Sequence, residues 1–262
     1  MRDRIWAIAL CTFREAARIR VLYGVLVLVV GSNLLALALG QLSFHDAARV
    51  ARDVGLAGIS LFGSLTAIFL GVFLLYAEVA RRTIHAIVSK PIARWEFVVG
   101  KYAGMALVLT VLVGVFALAM IGMLAWQGAG VGSGVAKALV LSWLEVLTVA
   151  AIAIFFSAFS TPFLSGIFAL ALWVIGRLTP DLEATAQLLA PWLRTTTRVA
   201  LWIVPDVHLF VVSGRTLDGA TVTVHGEFVP WSYVGTAGGY GLAWIIALLA
   251  LAALVFHRRD FG

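Results

Sequence analysis

The chain has 262 residues, of which 62% are hydrophobic and only 12% charged, and its mean hydropathy is +1.04. A soluble domain carries about a quarter charged residues, so this composition excludes a water-soluble globular enzyme and describes an integral membrane protein. The net charge of +6 and isoelectric point near 10 do not argue for a nucleic-acid partner, because the basic residues border apolar runs and report membrane orientation instead.

Residues 1–20 carry Arg2, Arg4, Arg14, Arg18 and Arg20, with Trp6, Leu10, Phe13 and Ala17 repeating at three- and four-residue steps. That pattern predicts a helix lying in the membrane interface on one apolar stripe. The apolar run 21–42 is too long for the 7–15-residue core of a cleaved signal. It is read as a retained first span, although Ala36-Leu37-Ala38 has the form of a cleavage site. Cys11 is the single cysteine, which rules out an internal disulfide.

Further spans are predicted over 56–75, 105–126, 138–159, 163–179 and 234–256, each near the 17–25 residues that cross a bilayer. Six spans place both termini on one side. Of the 19 lysines and arginines, twelve fall on the side of the termini and of residues 78–104, and seven on the other. The excess assigns both termini and that stretch to the cytoplasm.

Residues 78–104 form the longest charged interruption in the first half of the chain. Glu78, Arg81, Arg82, His85 and Ser89 share one helical face, and Val79, Ala80, Ile84, Ile87 and Val88 the opposite one. Pro91 ends that helix and biases Lys90 toward extended backbone. A second helical run starts near Arg94-Trp95-Glu96 and passes through Gly100 into the next span. On spacing alone this is an amphipathic helix, a proline turn and a helix at a membrane surface, and a basic helix that merely anchors the loop would read the same way.

The glutamate, the paired arginines with Thr83, the Ser89-Lys90-Pro91 turn, Arg94 and Gly100-Lys101 together resemble the cytoplasmic signature of type-2 ABC transporter permeases. The number and spacing of the apolar segments resemble that family too. The resemblance implies an all-α, polytopic, single permease domain over 1–262, with an N-terminal elbow helix and a cytoplasmic coupling helix between spans two and three. It implies that Glu78, Arg81, Arg82, Thr83, His85, Ser89, Lys90, Pro91, Arg94, Gly100 and Lys101 dock on an ATPase subunit. It also implies a pair of ATPase subunits that bind ATP and Mg, no cofactor in this chain, and a second permease half, identical or related. Location in a bacterial inner membrane and export as the direction of transport follow from the same likeness. So does a second, smaller ATPase contact at Ser160-Thr161-Pro162, where the residues alone support only a tight turn.

The remaining connections are unequal. Residues 42–55 make a short outer link, and Gly128, Gly130, Gly132 and Gly134 a flexible turn. Residues 180–231 form the largest outer segment. Within it, 182–204 is apolar but broken by Pro191, Arg194 and Arg198, which predicts short or re-entrant helices; such short outer helices are also what the family likeness implies. Thr221-Val222-Thr223-Val224 alternates, which predicts a small hairpin within 215–229.

No phosphate-binding loop of the G-x-x-x-x-G-K-[ST] type is present, so ATP hydrolysis is not expected of this chain alone. Gly58-Ile59-Ser60-Leu61-Phe62-Gly63 has the outward form of an intramembrane serine-protease motif, but no histidine lies in a later span to activate the serine. Small residues packing spans together explain it better, and Gly100-x-x-x-Gly104 and Gly235-x-x-x-Gly239 likewise permit close helix approach. The five histidines lack ligand spacing, so no metal site is argued. Glu145 is the one ionisable residue well inside a span. It marks either a polar point on a translocation path or a structural pair with a base near the outer surface. Lys137 lies within two turns of it, and Arg177, near the outer end of the next span, is the predicted partner. An ATP-independent carrier or channel is the alternative function, and it would need more intramembrane polar residues than Glu145.

Overall fold

The computed structural model describes residues 2–42, 47–80, 93–126, 128, 132–188, 191–211, 214–215, 221–222 and 229–258. Nine α-helices are formed among them: α1 Arg2–Ala17, α2 Arg20–Leu42, α3 Ala47–Ala80, α4 Arg94–Trp126, α5 Ser133–Ser157, α6 Pro162–Arg177, α7 Thr179–Ala186, α8 Pro191–Ile203 and α9 Trp231–Arg258. A 3-10 turn covers Val207–Phe210, and Gly214–Arg215 pairs antiparallel with Thr221–Val222 as a minimal hairpin.

Leucine, alanine, valine and isoleucine dominate the long helices, and in an apolar medium each helix satisfies its own backbone. Four of them are long and apolar enough to cross a membrane: Arg52–Leu74 of α3, Trp95–Trp126 of α4, Ser133–Ser157 of α5 and Trp231–Val255 of α9. The chain is a multi-pass helical membrane protein. The expected six-span layout is met in part. Helix α2, of 23 residues, overlies the expected first span, and α6 overlies the expected fifth span, 163–179; α6 and α7 meet at Leu178 with a bend of 64°. The bend has a local cause, because Leu178 leaves the helix and Pro180 lies in the first turn of α7. The opposite end of α6 is set by Thr161, which is extended, and Pro162 at the first helical position.

Helix α5 is the centre of the bundle, and 67% of its span is buried within the chain. It lies against α3, where Gly63 faces Val146 and Gly71 faces Ala153; a Cβ at those glycines would stand 2.7 Å and 2.6 Å from the facing side chains. The run around Ser60 is therefore a packing surface, as small residues in membrane helices usually are. Helix α9 covers another side of α5, but only 22% of its span is buried. Among the described residues none lies within 4 Å of a Cβ built at Gly235 or Gly239, so that glycine pair makes no close packing with them.

Helix α1 packs along α4. The face it buries within the chain is Ala9, Thr12 and Ala16, whereas Trp6 and Ala17 of the stripe predicted to lie on the membrane are exposed. The reason lies on the other helix. Gly100 and Gly104 leave room for the backbone of α1, so its small residues turn inward and the bulky ones are left outside. A Cβ at Gly104 would lie 2.6 Å from Cβ of Thr12 and closer still to the Ala9 carbonyl oxygen. Gly104→Val is expected to destabilise the protein by about 1–3 kcal/mol, read as a lower unfolding temperature in detergent. An unchanged temperature would mean that α1 is not seated on α4.

Candidate functional site

Three helices bring polar groups together inside the bundle. Glu145 of α5 is 1% exposed, and each of its oxygens is taken up. Ser60 of α3 donates to Oε2 at 2.6 Å. Trp173 Nε1 and Arg177 Nη1, both of α6, donate to Oε1 at 3.1 Å and 3.0 Å. Arg177 Nη1 also donates to Ser60 Oγ at 2.6 Å, and its guanidinium lies 5.7 Å from the Trp173 ring centroid. Burial of a lone carboxylate in an apolar bundle is costly, and a cation with two neutral donors offsets that cost. A cavity of about 40 Å³ beside the cluster is lined by Ser142 and Ala138 of α5 and by Val211. It has room for water but not for an organic substrate.

The chain after α8 closes the same end of the bundle. Pro205 and Val207 press on the backbone at Gly176, and Phe210 lies against Gly241. Tyr240 Oη accepts from the Asp206 N–H at 2.8 Å, and Tyr233 Oη donates to the Leu209 carbonyl at 2.9 Å. Asp206 caps the 3-10 turn by accepting from the His208 N–H at 3.1 Å. Burial raises its carboxyl above the ordinary value; the His208 contacts oppose this and the Glu183 charge adds to it. A raised folded-state value means that this carboxyl favours folding below its unfolded value of about 4, and that the contribution is lost as pH rises through the folded one. Asp206→Asn retains the capping oxygen. It is expected to flatten the fall in unfolding temperature as pH rises from about 4 toward neutrality; parallel pH profiles for the two proteins would refute the assignment.

The residues singled out at 78–104 divide into three groups. Arg81, Arg82, Thr83, His85, Ser89, Lys90 and Pro91 lie outside the described residues. Glu78 falls in the last turns of α3 and Arg94 opens α4. Gly100 and Lys101 are turned into the bundle: Gly100 lies under Ile8, and Lys101, 4% exposed, reaches Glu15 of α1 at 3.4 Å. These two help seat α1 on α4. Glu96 anchors the start of α4, its carboxylate accepting from the Ala93 N–H at 3.3 Å, as a residue three places into a helix does.

Lys137, the other base considered for Glu145, instead lies 5.4 Å from the ring centroid of Trp231, at the start of α9. Sequence reasoning missed Ser60 and Trp173 as partners of the carboxylate. Trp173 had a signal, since it stands four residues before Arg177 and shares its helical face. Ser60 had none, because nothing in the sequence sets the register of α3 against α5. Among the described residues, no group of three or more histidine, cysteine, aspartate or glutamate side chains is placed to hold a metal ion.

With this arrangement in view, a family model described as ABC-2 family transporter protein matches residues 6–261. No curated protein matches the chain.

Proposed function

We propose, from the premise that the chain belongs to the ABC-2 transporter family, that it is the permease half of an exporter driven by separate ATPase subunits. The observation that carries the proposal is a family match over nearly the whole chain, joined to a helical bundle without a phosphate-binding loop. In this reading residues 78–94 face the cytoplasm and receive the ATPase, with Arg81, Arg82 and His85 as the contacting face. The segment is flanked by α3 and α4, helices of 34 and 33 residues. Ser60 is twenty residues from the end of α3, about 30 Å along it, so displacement of residues 81–92 is delivered by a stiff rod to the Glu145 cluster. The cluster acts as a joint that keeps α3, α5 and α6 together at the outer end. A substrate path would then run over another surface, because the acid is sealed by its donors. The sparsely buried α9 leaves apolar surface for lipid or for a second permease half.

Two measurements test the reading. Affinity purification of the tagged chain, co-expressed with an ATPase subunit encoded beside it, is expected to recover the ATPase. Recovery of the permease alone, with transport persisting without ATP, would favour a carrier. For orientation, single cysteines at Gly219 and Ser89 in a Cys11→Ala background are expected to react with an impermeant reagent from outside and from inside, respectively. Labelling of position 89 from outside would overturn the arrangement.

A further inference from the structure

The groove between α7 and α8 encloses about 620 Å³, within the range of small-ligand sites. Arg194 and Arg198 line one wall from α8, and Glu183 lines the groove from α7, with Trp202 beside the arginines. The two arginines stand four residues apart on an exposed face, where like charges repel unless an anion sits between them. Neither forms an ion pair with a described residue. The adjoining stripe of α8 is apolar and bare: Trp192, Val199 and Ile203 are exposed, and Trp202 is 88% exposed. A helix with arginines on one side and tryptophan and isoleucine on the other fits the boundary between headgroups and acyl chains. Its position agrees, because α7 continues from the end of the membrane helix α6.

We propose that the α7–α8 groove binds the head of a zwitterionic membrane phospholipid bearing a primary ammonium. Its phosphate is held by Arg194 and Arg198, its ammonium by Glu183, and its acyl chains leave past Val199 and Trp202, which border the groove. Charge complementarity selects this occupant. Two guanidiniums alone would take any phosphate, whereas the carboxylate in the same groove disfavours a purely anionic head and rewards an adjacent cation. The proposal goes beyond the transport reading and does not depend on which ATPase drives the protein.

The test uses the purified full-length chain, stripped of lipid and given equal amounts of dioleoyl phosphatidylethanolamine and dioleoyl phosphatidylglycerol, with bound lipid read by native mass spectrometry. The phosphatidylethanolamine adduct is expected to dominate by about threefold or more, and Arg194→Gln with Arg198→Gln to lower it by about tenfold, the scale of one lost charge-assisted contact. Glu183→Gln is expected to retain lipid binding but bring the two lipids to parity. Arg14→Gln with Arg18→Gln, exposed residues in and just after α1, is the control and should change neither. Unchanged phosphatidylethanolamine binding in the double arginine variant would overturn the proposal, as would a surviving preference in Glu183→Gln. Displacement of the lipid by millimolar inorganic phosphate would also overturn it, identifying the groove as a site for a soluble phosphate compound.

Discussion

Arg177→Ala is expected to lower the stability of the protein by about 3–5 kcal/mol, the usual loss when one partner of a buried ion pair is removed. The value rests on the asymmetry of the pair. Arg177 is 31% exposed and keeps some access to polar surroundings, while Glu145 is 1% exposed and is left with Ser60 and Trp173 as donors. Those two cannot neutralise a full negative charge, so the carboxylate must either take up a proton or draw water into the small cavity beside it. Ser60 also loses the donor that holds its hydroxyl oxygen. Glu145→Gln, combined with Arg177→Ala, removes the stranded charge and is expected to recover part of the loss. Unfolding temperatures of the two single variants and the double variant, measured in one detergent, decide the matter. A double variant whose loss equals the sum of the single losses would show that the two side chains do not act as a pair. Glu145 would then require a separate role.

Charge rarity made that pair legible. In a chain this apolar, an acid in mid-span and a base near the end of the next span are conspicuous, and the cost of stranding either narrows the choice of partners. The same logic named Arg177 as the partner, although Lys137 also lies within reach along the sequence. Lys137 instead lies against Trp231 of α9, from the far end of the chain. The face of α1 that packs within the chain was not legible for a related reason. Periodicity identifies which residues share a face, but the face that is buried is chosen by the partner helix. Gly100 and Gly104 admit alanines and exclude Trp6. Lys101 follows Gly100 directly, and the packing of α1 on that glycine brings the lysine to Glu15, a contact that the motif did not foretell. The end of the fifth span was legible in the shortness of the apolar run and in Pro180, but the 64° bend between α6 and α7 was not.

Arg81→Glu with Arg82→Glu is expected to leave the chain inserted and folded while reducing ATPase recovery by about tenfold or more and abolishing transport-coupled hydrolysis. Helical spacing in the sequence would put the two arginines on a polar face, opposite Ile84, Ile87 and Val88. Both flanking helices are anchored independently of that segment, α3 through its glycine contacts with α5, and α4 through Glu96 on Ala93 and Lys101 on Glu15. Reversal at 81 and 82 leaves those anchors in place, and the loss is expected to fall on the contact with the ATPase. Lys101→Glu supplies the contrast. It places two carboxylates together at the α1–α4 seam, so it is expected to lower the unfolding temperature, with ATPase recovery per folded molecule unchanged. Arg258→Glu with Arg259→Glu controls for charge alone, since these residues lie outside the proposed contact. Loss of ATPase binding in the tail variant as large as in the Arg81 and Arg82 variant would assign the effect to general charge, and the coupling role of residues 81–92 would have to be given up.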